Sequence, residues 1–361
     1  MEIQNLETPC LLLDVEKSRA NIGRMQGICD AHGVALRPHM KTHKMVEVAR
    51  MQIQAGARGL TCAKISEAEA MLPSGVREIF IAHSIVDPLK APRLRRLSEE
   101  LDRLVLAVTS PAQMQALDRV LEVAEIRVPV MLALDSGLDR EGARTEEAVD
   151  RMVEGVEASS RMELFGLYTH EGHAYAGTAD EKEGIAHAAL ELLVNTRERL
   201  GRPLELWPGC SVTAAIMATL PEVDCVRPGA YVFGDHSHAR RTQTMTDEEV
   251  SLFVVATVID KSREGMALID AGSKVFSGDK TPGEQPISGY VPGREIEVVR
   301  TSEEHGFLAG ADVDALEIGE KLAFVVAHVC PVMNLADQVV LTGDPHLEGS
   351  KWAVEARGCS K

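Results

Sequence analysis

Residues 103–134, RLVLAVTSPAQMQALDRVLEVAEIRVPVMLAL, set an apolar run, a helix-like stretch and a second apolar run in succession. Short continuous apolar runs are how strands buried on both faces read, and an intervening helix is the crossover that a parallel pair requires. The same alternation extends outward in both directions. Upstream come CLLLDV (10–15), EKSRANIGRMQGICDAHG (16–33), VALRPHM (34–40), KMVEVARMQIQAG (44–56), RGLTCA (58–63) and EIFIAH (78–83). Downstream come LFGLYTH (164–170) and LELWPG (204–209). Roughly eight βα units over this span predict an α/β fold, and the count favours a closed (β/α)8 TIM-type barrel over an open doubly wound sheet.

After Thr242 the texture changes. LFVVATVID (252–260), MALIDAG (266–272), EIEVVR (295–300) and KLAFVVAHV (321–329) are β-rich runs separated by turns such as TPGEQPISGYVPG (281–293). The expected organisation is a barrel over residues 12–240 and a smaller, mainly β domain over residues 241–361, which also takes in residues 1–11.

A chain of 361 residues with 45% hydrophobic and 26% charged residues can bury a sizeable core. The formal net charge of -17 argues against a nucleic-acid or anionic-membrane surface, which would need clustered Lys and Arg, and leaves small molecules as the expected partners. The sequence shows no apolar run of about 18 residues, and its start, MEIQNLETP, lacks the features of a signal peptide. The cytoplasm is the expected compartment. Seven scattered cysteines, an odd number, suit reduced thiols, one of which can serve a metal.

Polar residues gather where the predicted strands end, the face on which barrel active sites are built. In RPHMKTHK (37–44) a lysine can form a Schiff base, with Arg37, His43 or Lys44 lowering its pKa; a basic surface loop reads equally well. In DSGLDREG (135–142), Arg140 can offer its fork of donors to an anionic oxygen, or stand solvated on a capped loop. Gly209, Cys210 and Ser211 precede a helix, with Arg227, Gly229 and Tyr231 a little further on, so that backbone N–H groups can meet a phosphate or simply form a cap. In YTHEGHAY (168–175), His170, His173 and Tyr175 are candidates for acid, base or ring contact. Finally, His328 and Cys330 stand two apart on a strand-like run, so both point to one face and can converge on one ion, which favours zinc.

Taken in order, TPCLLLD (8–14), RPHMKTHK, DSGLDREG, RPGAYVFGD (227–235), DAGSKVFSGD (270–279), EEHGFL (303–308) and HVCPVMNL (328–335) resemble the fold type III pyridoxal 5′-phosphate (PLP) enzymes. These share the alanine racemase-like barrel, and the likeness is to the D-serine dehydratase and D-threonine aldolase branch. The resemblance implies Lys41 as the Schiff-base lysine and Arg140 beside the cofactor ring. It places Gly209, Cys210 and Ser211 at the phosphate, with His39, Tyr168, Arg227, Gly229 and Tyr231 as further cofactor contacts. His328 and Cys330 are implied as metal ligands, and a homodimer as the assembly.

The implied reaction is dehydration of D-serine or a related D-3-hydroxy amino acid to a 2-oxo acid and ammonia. The alternative is D-threonine aldolase-type cleavage to glycine and an aldehyde, with a base such as His173 and with Mn or Mg in place of Zn. A racemase fits less well, because it needs no metal at a hydroxyl. A non-catalytic PLP carrier would be a bare barrel. Gly209-Cys210-Ser211 departs from the Gly-Ser-Thr type of phosphate loop common in the branch, which leaves the substrate side chain open.

Overall fold

The computed structural model describes residues 2–361. The chain divides into two units. One comprises Gly23–Lys41, Val46–Gly229 and Cys359–Lys361; the other comprises the residues up to Ile22, Thr42–Met45 and Ala230–Gly358.

The first unit is the barrel. Strands Leu60–Cys62, Glu78–Ile81, Arg103–Val108, Val128–Ala133, Met162–Tyr168 and Glu205–Trp207 form a six-stranded parallel sheet in chain order, and Ala35–Leu36 pairs in parallel with Cys225–Val226. Backbone hydrogen bonds join the two sheets into a round of eight strands. Thr61 N–H donates to Pro38 O (2.8 Å) and Met40 N–H to Thr61 O (2.9 Å) on one side, while Asp224 N–H donates to Leu206 O (3.1 Å) on the other.

The helices between the strands start where the sequence offers caps. Ser110 accepts from Gln113 N–H at the head of Pro111–Ala124, and Thr145 accepts from Ala148 N–H at the head of Glu146–Ala158. Their buried faces recur at helical spacing, as with Met114, Leu117, Val120, Leu121 and Ala124.

The run CLLLDV is not a barrel strand. Cys10–Asp14 pairs antiparallel with Leu252–Arg263 and in parallel with Gln338–Thr342, inside the sheet of the second unit. The eighth barrel strand is instead Cys225–Val226, whose two residues are too short to stand out as an apolar run.

In the second unit, Met266–Ile269, Gly306–Ala309, Glu297–Thr301, Gly289–Tyr290, Lys321–Val326 and Leu252–Arg263 follow one another as antiparallel neighbours, and the last pairs again with the first. That closure leaves no open edge among these six strands. Among the described residues no helix is long and apolar enough to cross a membrane.

The barrel interior is packed around Trp207, which is fully buried with Phe80, Val105, Met131 and Tyr168. Phe80 meets it edge-on at 5.5 Å and Phe165 at 5.7 Å. Its ring N–H donates to Glu205 at 2.7 Å, and the Arg37 guanidinium lies 4.3 Å from the ring centroid. Trp207→Ala should therefore open a cavity, strand a carboxylate acceptor and destabilise the unit by about 3–5 kcal/mol, read as a lowered urea midpoint at unchanged slope.

Candidate active site

The last hydrogen bonds of the strand that begins at Ala35 set up the first functional side chain. His39 N–H donates to Pro228 O (2.8 Å) and Met40 N–H to Thr61 O (2.9 Å), so the backbone is fixed up to the residue before Lys41. The Lys41 N–H in turn donates to His39 Nδ1 at 3.4 Å. Lys41 then lines a cavity of about 350 Å³ at the C-terminal strand ends, together with His39, Arg140, Tyr168, His170 and Arg227, all named from the sequence. Lys64, His83, Asp135 and Glu141 complete its polar wall. Four cations against two carboxylates make this a place for an anionic ligand.

Arg140 owes its position to Asp135. One Asp135 oxygen accepts the N–H groups of Gly137, Leu138 and Asp139 at 3.1–3.2 Å, and the other meets Arg144 at 2.9 Å. Burial pushes the Asp135 carboxyl up, but these donors outweigh it and hold its pKa below the usual range. Gly142 (φ +119°) closes the loop, since a Cβ there would stand 2.7 Å from Asp135 N. Glu141 accepts from Ser84 Oγ at 3.0 Å.

His170 is held as a neutral acceptor. Burial, and then the positive charge of Lys41, depress its pKa well below the ordinary value. Its Nδ1 stands 2.7 Å from Gly209 O, which can only accept, so the proton sits on Nδ1. Arg227 is buried, and its donors go to the carbonyls of Thr169 and Trp207. The guanidinium lies 5.1 Å from the Tyr168 ring and 5.5 Å from that of Phe80, so it is as much a part of the core as of the cavity. Burial raises the Tyr168 phenol.

The other residues named from the sequence stand elsewhere. Gly209 N–H donates to Glu171 at 3.1 Å, and a Cβ on Gly209 would come within 3.1–3.2 Å of Arg227, so this glycine serves close packing. The Cys210 thiol, pushed up to about 11 by burial, lies 3.3 Å from Thr213 Oγ1. Ser211 Oγ accepts from Gly229 N–H at 2.9 Å. His173 sits in the short turn Gly172–Tyr175 and is not part of the cavity wall; its Nδ1 is buried without a hydrogen-bond partner. Tyr231, His328 and Cys330 belong to the second unit.

Lys64 and His83 are in contact with each other, and neither was expected. Both follow strands directly, so the rule that pointed to Lys41 applies to them too. Burial and then Lys64 lower the pKa of His83.

His328 and Cys330 are not on a strand. Lys321–Val326 ends before them, His328 is the extended residue ahead of the helix Val329–Leu335, and Cys330 lies in that helix's first turn. Pro331 explains the change, since it suits a first turn and cannot donate to a sheet ladder. The two side chains still meet. Burial opposes charge on His328, but the hydrogen bond with Cys330, the Cys330 charge and Asp279 raise its pKa to about 9. Asp279 stands 2.7 Å from His328 Nδ1, and Thr42 Oγ1 is 3.2 Å from Cys330 Sγ. Among the described residues no three His, Cys, Asp or Glu side chains form a ready cage for a metal. An imidazole, a thiolate and a carboxylate behind the imidazole nevertheless fit a zinc-type donor set with further positions open.

Comparison with known proteins agrees with this arrangement. The alanine racemase N-terminal domain model matches residues 13–237, and the putative serine dehydratase domain model matches residues 251–342. D-threo-3-hydroxyaspartate dehydratase from Delftia sp. (strain HT23) is 32% identical over 352 residues, covering 90% of this chain and 91% of that protein. The crystal structure of D-threonine aldolase from Filomicrobium marinum superposes with a TM-score of 0.87 at 26% identity, covering 99% of this chain and 98% of that one. A structure of D-threo-3-hydroxyaspartate dehydratase, a cysteine-to-alanine mutant in the metal-free form, gives a TM-score of 0.84 at 27% identity, covering 97% and 98%. With a barrel that matches one model and a β-rich second part that matches the other, this chain belongs to the alanine racemase N-terminal domain family, in the branch that carries the serine dehydratase domain.

Proposed function

We propose that this chain is a PLP- and metal-dependent lyase of D-3-hydroxy amino acids that dehydrates its substrate to a 2-oxo acid and ammonia. The observation that carries the reading is the meeting of His328 with Cys330, an imidazole beside a thiol with Asp279 behind the imidazole. Such donors suit zinc. PLP supplies an electron sink for cleavage of the bond to the Cα proton, and the metal supplies a Lewis acid for the β-hydroxyl.

The chain's own residues do the rest. Lys41 would hold PLP, and its Nζ would take the proton from Cα. Arg140 offers donors to an anionic oxygen, from a position fixed by the Asp135 turn. Tyr168 and Arg227 form the floor. Neutral His170, its proton committed to Gly209 O, presents Nε2 as an acceptor. His39 sets the Lys41 backbone through its own Nδ1. Gly209, Cys210, Ser211, Gly229 and Tyr231 are proposed around the cofactor on the family resemblance alone. The same resemblance is the ground for expecting a homodimer.

A second reading, aldol cleavage with Mn or Mg, draws on two observations. The chain matches an aldolase structure over 99% of its length, and His173, the base this reading calls for, holds a buried ring nitrogen with no hydrogen-bond partner. D-threonine separates the two readings. Dehydration gives ammonia and 2-oxobutanoate, whereas aldol cleavage gives glycine and acetaldehyde without ammonia. We expect ammonia as the main product and the L-isomers to be inert, because Lys41 can reach the Cα proton from only one face. Glycine as the main product would establish the second reading.

A further inference from the structure

We propose that Asp279 is the positioning residue of a divalent-metal site at His328 and Cys330; this rests on the metal reading above. Asp279 closes DAGSKVFSGD, a motif that the Lys41 chemistry does not use. Its Oδ2 stands 2.7 Å from His328 Nδ1, across a separation of 49 residues. A carboxylate accepts, so Nδ1 keeps the ring proton and the lone pair is assigned to Nε2, the form in which that nitrogen can bind a metal. The bond also stops rotation of the ring.

The pair has little to do for stability, since the two side chains are 47% and 55% exposed and exposed ion pairs are weak. Its effect therefore falls on the direction of the imidazole. It falls on charge as well: a Cys330 thiolate and the Asp279 carboxylate together balance a dication.

Cys330 is set by a different carboxylate. Asp235, fully buried, accepts the N–H of Val329 at 3.2 Å and holds His238 Nδ1 at 2.7 Å. The backbone immediately before Cys330 is thus tied down, and Thr42 Oγ1 stands 3.2 Å from Cys330 Sγ. One ligand is oriented through its side chain and the other through its backbone. Only the first arrangement can be removed at the surface without disturbing the core.

The test is zinc affinity of the full-length protein, measured by competition with a chromogenic chelator, for wild type, D279N, D279A and C330A. One zinc per chain is expected in wild type and in both Asp279 variants, with D279A weaker by about 10–100-fold. D279N should lie between them, because its side-chain oxygen still accepts from Nδ1 while the charge is lost. Circular dichroism and melting should be unchanged. In the cobalt-substituted protein, the thiolate charge-transfer band and the visible bands should keep their positions in D279N. Equal zinc affinity in wild type and D279A overturns the proposal. So does a cobalt spectrum in D279N that reports a lost oxygen ligand, since Asp279 would then bind the metal itself. Failure of the metal reading looks different: wild type and C330A would be alike in binding no zinc.

Discussion

Lys41→Ala is expected to abolish lyase turnover together with the visible absorbance and borohydride-reducible adduct of the lysine-bound cofactor. Two functions end with one side chain, the covalent anchor and the proton acceptor. The second alone should contribute the ~10²–10⁴-fold of a positioned proton-transfer group, so turnover should fall by at least that much. The substitution should leave the fold intact, because the hydrogen bonds around Lys41 are made by the backbone of His39 and Met40. The cavity holds one competitor. Lys64 lines the same wall, with burial and the charge of Lys90 lowering its pKa, so its amine has nucleophilic character. It is engaged with His83, however, and lies after the neighbouring strand. Peptide mapping of the reduced adduct decides the matter: label at Lys64 in the variant, or residual turnover there, would transfer the anchoring role from Lys41.

Removing metal with a chelator is the second large effect. Activity should fall to the level of C330A, while PLP absorbance stays, and added zinc should restore turnover. The two outcomes separate because His328 and Cys330 belong to one unit of the chain and the cavity-lining residues to the other. A Lewis acid at the hydroxyl would be worth several kcal/mol of transition-state charge. Full activity in metal-free protein would remove the metal from the chemistry. A parallel loss of PLP would make the metal structural.

The barrel was legible wherever strands are buried on both faces. RLVLAVT and VPVMLAL become Arg103–Val108 and Val128–Ala133 because continuous apolar runs are what such strands require. CLLLDV carries the same signal for a different sheet. Its middle residues are buried between Leu252–Arg263 and Gln338–Thr342, and nothing local to residues 10–15 tells one buried strand from another. The strand-end rule singled out Lys41, Arg140, Tyr168 and His170, which line one cavity; Arg227, on the same wall, came from the loop motif further on. The rule applies equally to Lys64, which follows RGLTCA immediately, and to His83, which reads as the tail of its run, and neither was singled out. Asp279 and Glu171 carry no such cue. Each is a single acidic residue whose partners, His328 for one and Gly209 N–H for the other, are supplied by the fold from far along the chain.

The chain has two tryptophans, and they fall in different units. Trp207 is fully enclosed between aromatic edges and the Arg37 guanidinium, whereas Trp352 lies half-buried on a strand at the end of the other sheet. Nature has thus placed one optical reporter in each half of the molecule. The enclosed indole should emit in the blue and dim by energy transfer when a chromophore fills the barrel cavity, and the other should emit further to the red. Single-tryptophan variants then allow loading of the barrel and melting of either half to be followed by colour alone, in a cuvette, without a substrate.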